Sequence, residues 1–142
     1  MDIEFSGRTV VVTGAAHGLG RAMSVAFAER GAAVWGCDLL ADELDETKRL
    51  CRQSGGTCET RACDVRDPGT IRHFTEEVGH ADILINNAGG VLGFVGKPME
   101  EVTAAEWQDI ISVNMSAAFW FSQGVVPAMK DRGFGRIVNI SS

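Results

Sequence analysis

Three glycines fall within the eight residues Thr13-Gly14-Ala15-Ala16-His17-Gly18-Leu19-Gly20. The stretch follows a β-branched run, Thr9-Val10-Val11-Val12, and leads into a segment with helical spacing. At those positions Gly14 permits a tight turn out of a strand, Gly18 lets a ligand approach the backbone, and Gly20 lets the helix pack close to the strand. Free N–H groups at the helix start would then face a pyrophosphate. Asp38 closes the next apolar run, 18 residues beyond Gly20. A carboxylate there hydrogen-bonds the adenosine ribose of a dinucleotide and repels a 2′-phosphate. NAD is therefore the expected cofactor, with NADP disfavoured. His17 pulls the other way, because an imidazolium favours extra phosphate, but one histidine weighs less than a strand-end carboxylate. A glycine triplet alone is as readily an ordinary loop; the strand before it, the helix after it and Asp38 carry the reading.

These residues need elements to position them, and apolar runs alternate with amphipathic ones along the whole chain. Strands are expected at Thr9–Val12, Ala33–Cys37, Thr57–Cys63, Ile83–Ile85 and Ile137–Ile140. The first helix, about Gly18 to Arg30, places Leu19, Ala22, Met23, Ala26 and Phe27 on one face, and Gly31 stops it. A polar helix over 41–54 carries Leu44 and Leu50. The next opens at Asp67-Pro68 and buries Ile71, Phe74 and Val78. Thr103-x-x-Glu106 is a capping box. The apolar helical run after it passes Asn114 toward Lys130, with Ile110, Ile111, Met115, Ala118, Phe119, Phe121 and Val125 available for packing. Strands separated by helices predict a Rossmann-type α/β fold, a doubly wound parallel sheet covered on both faces.

Composition narrows the function classes. The 142 residues have a net charge of −6 and no basic block, which argues against nucleic-acid binding. No apolar run approaches the ~18 residues of a membrane span. The acidic start Met1-Asp2-Ile3-Glu4 is unlike a secretory signal, so Cys37, Cys51, Cys58 and Cys63 read as reduced thiols of a cytoplasmic protein. No metal site is expected. The chain contains no tyrosine, so no phenol can act as acid, base or nucleophile in it.

In order, Thr13-Gly14-x-x-x-Gly18-x-Gly20, Asp64-Val65, Asn86-Asn87-Ala88-Gly89, Asn114 and Asn139-Ile140-Ser141-Ser142 resemble the short-chain dehydrogenase/reductase (SDR) family from about Gly7 to Ser142. The resemblance implies that Gly14, His17, Gly18, Leu19 and Gly20 belong to the pyrophosphate turn. It implies that Asp38 and Leu39 contact the ribose, and that Asp64 and Val65 lie beside the adenine. Asn87, Ala88 and Gly89 would support the cofactor and the central strand. Asn114 resembles the family's helix-interrupting Asn, which holds a water in a proton relay. Ser142 matches the catalytic Ser that orients the substrate oxygen, with Ser141 its neighbour. The helix around 104–130 resembles the one through which family members pair, so a homo-oligomer is expected; burial within one subunit is the alternative. Val91, Leu92, Phe94 and Val95 either line an apolar substrate pocket or pack against other parts of the protein.

The family's chemistry also uses a Tyr-x-x-x-Lys motif after that Ser, the phenol serving as the proton donor beside the reacting oxygen. This chain ends at the Ser. The expectation is thus that residues 1–142 are an incomplete NAD(P)-binding Rossmann domain, the cofactor-binding portion of an enzyme that interconverts a secondary alcohol and a ketone, and inactive alone. The main alternative is a noncatalytic dinucleotide-binding module. A methyltransferase of Rossmann type is disfavoured by Asn86-Asn87-Ala88-Gly89 and Asn114, and a purely structural subunit by the intact phosphate turn.

Overall fold

The computed structural model describes residues 3–141. Strands β1 (Thr9–Thr13), β2 (Ala33–Asp38), β3 (Thr57–Ala62), β4 (Ile83–Asn86) and β5 (Arg136–Asn139) form one parallel sheet in the order β3-β2-β1-β4-β5. β1 is central, with Val10 beside Val34 and Ile83. From β1 the chain winds outward to β2 and β3. It then crosses to β4 and β5 on the other side. The carboxyl ends of β1 and β4 therefore flank the point where the winding reverses, the place where open α/β sheets leave a crevice.

Strand alternation divides the core in two. Val10, Val12, Val34, Ile83 and Ile85 pack with Ala28 of α1 (Gly18–Glu29) and with Leu44 and Cys51 of α2 (Ala41–Gln53). On the opposite face, Val11 and Leu84 pack with Ile71, Phe74 and Val78 of α3 (Pro68–Val78) and with Phe121, Val125 and Met129 of α5 (Ala117–Arg132). Asp67 caps α3, its carboxylate accepting from Gly69 N–H at 2.8 Å. The Thr103–Glu106 capping box starts α4 (Ala104–Ile111). Gly133, in the left-handed region at φ 66°, ends α5.

Two expectations change. The buried stripe of α1 is Gly20, Ser24 and Ala28, not the face led by Leu19 and Ala22, both of which are exposed. The cause is distance. A Cβ at Gly20 would stand 1.9 Å from the Gly14 carbonyl oxygen, and one at Gly56 would stand 2.5 Å from the Ala28 Cβ. Only small residues fit so close an approach, so Met23 and Phe27 are pushed to the rim, where Phe27 meets Phe5 edge-on. The apolar run is interrupted around Asn114, and its packing also differs. A π-turn over Ser112–Ser116 separates α4 from α5, and Met115 and Phe119 remain exposed rather than packed.

Both outer strands are edges. On β3, Glu59 is held by Lys48 at 2.8 Å and Arg52 at 3.1 Å, charges of the kind that blunt an edge. On β5 all four residues are exposed, among them Ile137 and Val138.

Candidate functional site

A cavity of about 380 Å³ opens at the carboxyl ends of β1, β2 and β4. Gly14, His17, Gly18 and Leu19 form one side of it, Asp38 and Leu39 the next, and Cys63 and Val65 a third. Asn87, Ala88 and Gly89 border the β4 side, and Leu92 and Val113 complete the wall.

The turn between β1 and α1 gives the cavity its chemistry. Gly14 and Gly18 take φ of 67° and 54°, which disfavour a side chain. Ala15 N–H is spent on the Cys37 carbonyl at 3.0 Å and Ala16 N–H on Asp38 Oδ2 at 3.2 Å. His17, extended at the helix start, caps nothing with its side chain, and the first turn of α1 holds no acid. The first N–H groups of α1 thus have no side-chain acceptor, and with the helix dipole they make an anion cradle. A Cβ at Gly14 would come within 3.0 Å of Ala88 Cα, so the glycine also keeps the β1 and β4 loops together.

Asp38 adjoins that cradle. Its Oδ2 accepts from Ala16 and its Oδ1 from Leu40 N–H at 3.3 Å, which fixes the carboxylate at the wall. Beneath it the Cys37 thiol is pushed well above its ordinary value by its contact with Cys63 and by full burial, so it stays a neutral thiol at pH 7. All four cysteines are free and buried.

Of the remaining expected residues, Val65 lines the cavity and others lie away from it. Gly20 lies under the turn, against Gly14 and Asn87, not in the cavity wall. Asp64 turns to Arg66, whose Nη2 donates at 2.8 Å and lowers the carboxyl below its ordinary range, while Val65 faces the cavity. Asn114 sits in the π-turn; its Oδ1 accepts from Gly90 N–H at 2.9 Å, and its Nδ2 donates to the carbonyls of Gly90 at 2.7 Å and Ile110 at 2.9 Å. Ser142 lies outside the described residues. Among the described residues no His/Cys/Asp/Glu group is arranged to hold a metal, and no helix is long and apolar enough to cross a membrane.

The family model for short chain dehydrogenases matches residues 8–142. The chain belongs to the short-chain dehydrogenase/reductase family. A D-threitol dehydrogenase of Mycolicibacterium smegmatis is 33% identical over 147 residues, covering 99% of this chain and 55% of that protein. The chain thus spans about half the length of the curated relatives it matches. Among solved SDR structures, a metagenomic short-chain oxidoreductase in complex with NADP superposes with a TM-score of 0.92 at 35% identity, covering 96% of this chain and 63% of that one. L-Sorbose reductase from Gluconobacter frateurii, complexed with NADPH and L-sorbose, gives 0.90 at 33%, covering 98% and 54%.

Several residues of this SDR site escape sequence reasoning. Cys63 and Val113 adjoin Asp64 and Asn114 in the chain, so adjacency was their one signal. Leu92, left open between two roles, joins the wall through a left-handed backbone at φ 50°. Glu43 of α2 had no signal; its carboxylate lies 3.2 Å from His17 Nδ1.

Proposed function

We propose that the chain forms the cofactor-binding part of an NAD(H)-dependent oxidoreductase that interconverts a secondary alcohol and a ketone. The uncapped first turn of α1, opening on a cavity with Asp38 in its wall, carries this reading. The N–H groups of Gly18 and Leu19 receive the pyrophosphate, with Gly20 beneath them letting the helix approach the turn, and Asp38 with Leu39 takes the adenosine ribose. Val65 packs beside the adenine, with Asp64 next to it. Asn87, Ala88 and Gly89 hold the loop under the cofactor. A bound nicotinamide dinucleotide supplies or accepts a hydride. Asn114 holds the Gly90 loop and a relay water, and Ser142 orients the substrate oxygen. Asp38 favours NAD over NADP by placing a negative charge where a 2′-phosphate would sit.

The 142 residues alone turn over no substrate, because they contain no phenol to exchange a proton with the substrate oxygen. That same absence is what favours the second reading, a noncatalytic dinucleotide-binding module. The protein works in the cytoplasm as a homo-oligomer; exposed Trp107, Met115 and Phe119 on α4, the π-turn and α5 supply an apolar surface for pairing.

Calorimetric titration with NAD and NADP tests the reading. The expected result is tighter binding of NAD, and in Asp38→Ala a loss of about tenfold in NAD affinity with relaxed discrimination, as for a lost charged hydrogen bond. Unchanged relative affinities in Asp38→Ala would remove Asp38 from the ribose role. Failure to bind either dinucleotide would overturn the cofactor reading. Steady NADH production from a secondary alcohol by a mass-verified 142-residue chain would overturn the claim of inactivity.

A further inference from the structure

His17 lines the cavity, and a fixed cation lies close by. The Arg21 guanidinium is fixed behind the glycine turn. Its Nη2 donates to the carbonyls of Ala16 and Glu43, the latter at 3.1 Å, and its Nε to Thr47 Oγ1 at 3.0 Å. Thr47, fully buried, donates in turn to the Ala15 carbonyl at 2.8 Å. The N-terminus of α2 is a further positive element, since Leu40 offers it no side-chain cap. Taken alone, these groups would attract the phosphate that Asp38 repels.

Two carboxylates, Asp42 and Glu43, stand in the first turn of α2, and Glu43 is the one set against the glycine turn. The Glu43 carboxylate lies 3.2 Å from His17 Nδ1 and 3.9 Å from Arg21 Nη2. It is positioned against the imidazole and the guanidinium at once. The arrangement is also braced from below, because the backbone carbonyl of Glu43 accepts from Arg21 and the Ala15 carbonyl accepts from Thr47, which together hold α2 to the turn.

We propose that Glu43 is a second determinant of cofactor choice: its carboxylate occupies His17 and offsets the charge of Arg21, so that a 2′-phosphate finds no partner there. The inference rests on the dinucleotide reading above. Asp38 and Glu43 then act differently. Asp38 contacts the ribose, whereas Glu43 touches no part of the cofactor and works by holding the His17 imidazole and offsetting the Arg21 charge. It is a positioning residue for His17.

The test is calorimetric titration of the intact protein with NAD and NADP, in the wild type and in Glu43→Gln, Glu43→Ala, Asp38→Ala and the double variant His17→Ala/Glu43→Gln. Glu43 is half-exposed, and glutamine keeps its length and its helix. In Glu43→Gln, NADP affinity is expected to rise about tenfold relative to NAD, the size of one hydrogen bond gained between the freed His17 and the phosphate. Glu43→Ala should move the ratio in the same direction. In the double variant the gain should shrink, because the freed imidazole is gone, and rising salt should shrink it too. An unchanged ratio in both Glu43 variants, with Asp38→Ala still shifting it, overturns the role of Glu43 and leaves the dinucleotide reading standing. An undiminished gain in the double variant overturns the pairing with His17. A wild type that binds neither dinucleotide overturns both the inference and the reading beneath it.

Discussion

Thr13 and Asn87 exchange hydrogen bonds across the mouth of the sheet. Thr13 Oγ1 accepts from Asn87 N–H at 3.0 Å and from Ala88 N–H at 2.9 Å, while Asn87 Nδ2 donates back to the carbonyls of Thr13 at 3.1 Å and Gly14 at 3.2 Å. The end of β1 and the end of β4 are thereby locked together just where the cavity opens. Thr13 is almost wholly buried, so no water can replace its hydroxyl. Thr13→Val keeps the shape and removes the acceptor of two N–H groups. It should lower stability by roughly 2–3 kcal/mol in denaturant titration, the cost of stranding buried donors. A loss of only a few tenths would mean that the loop finds other partners.

Gly20 and Gly18 look equivalent in the motif but not in space. A Cβ at Gly20 meets backbone, the Gly14 carbonyl, which can move only if α1 moves away from β1; a Cβ at Gly18 meets nothing within 4 Å, and its cost comes from φ of 54° alone. Gly20→Ala should therefore cost about 3 kcal/mol, and Gly18→Ala about 1 kcal/mol. Denaturation midpoints of the two variants check the order. The reverse order would sink the close-approach account of α1.

What could be read from the sequence follows this same division between local and distant causes. The glycine turn, the strand end at Asp38, the capping box and the Pro68 helix start depend on residues a few positions apart, and the structure has the elements where the spacing puts them. The buried face of α1 was not legible, because Gly14 and Gly56, outside the helix, decide how close it comes. The contact of Glu43 with His17 and the clamp of Asn114 on Gly90 likewise span loops whose path no local pattern records. The side chain of Asp64 shows a third kind of miss: its neighbour Arg66 captures it, a competition the motif alone does not reveal.

Asn114 grips both polar groups of one residue, the N–H and the carbonyl of Gly90, from inside the π-turn. The far end of the same loop is tied by Lys97, whose ammonium donates to Glu106 at 2.6 and 2.8 Å. Leu92 of the cavity wall lies between the two anchors. Asn114→Ala should release the first one only. Amide hydrogen exchange should rise across residues 90–96, with the α4 amides unchanged, and stability should fall by about 1 kcal/mol because the site is exposed. Asn114→Asp keeps an acceptor for Gly90 N–H but loses the donor to the carbonyl, so it should be intermediate. Equal exchange in wild type and Asn114→Ala would show that the loop is held elsewhere.

The acid side of the stability curve follows from carboxylates that the fold holds ionised. Lys97 lowers the Glu106 carboxyl below its ordinary 4.5, with help from the Thr103 N–H. Lys48 does the same for Glu59 on the edge of β3, and Thr70 and the Gly69 N–H lower Asp67 below 3.8 at the start of α3. A carboxyl whose folded pKa is depressed favours the ionised folded state. Its contribution is complete above the unfolded pKa and is lost as pH falls through the folded one. Stability should therefore be flat with respect to these groups from pH 7 to about 5 and decline as the pH drops below 4.5. All three sites are largely solvated, so the decline should be modest for each and blunted by salt. Glu106→Gln, compared with wild type across pH 3 to 7 by urea titration, should flatten part of the slope near and below pH 4.5 while leaving the Glu59 and Asp67 parts in place. A slope identical to wild type would mean that Lys97 and Glu106 separate in solution. The loop carrying Leu92 would then lose its second anchor.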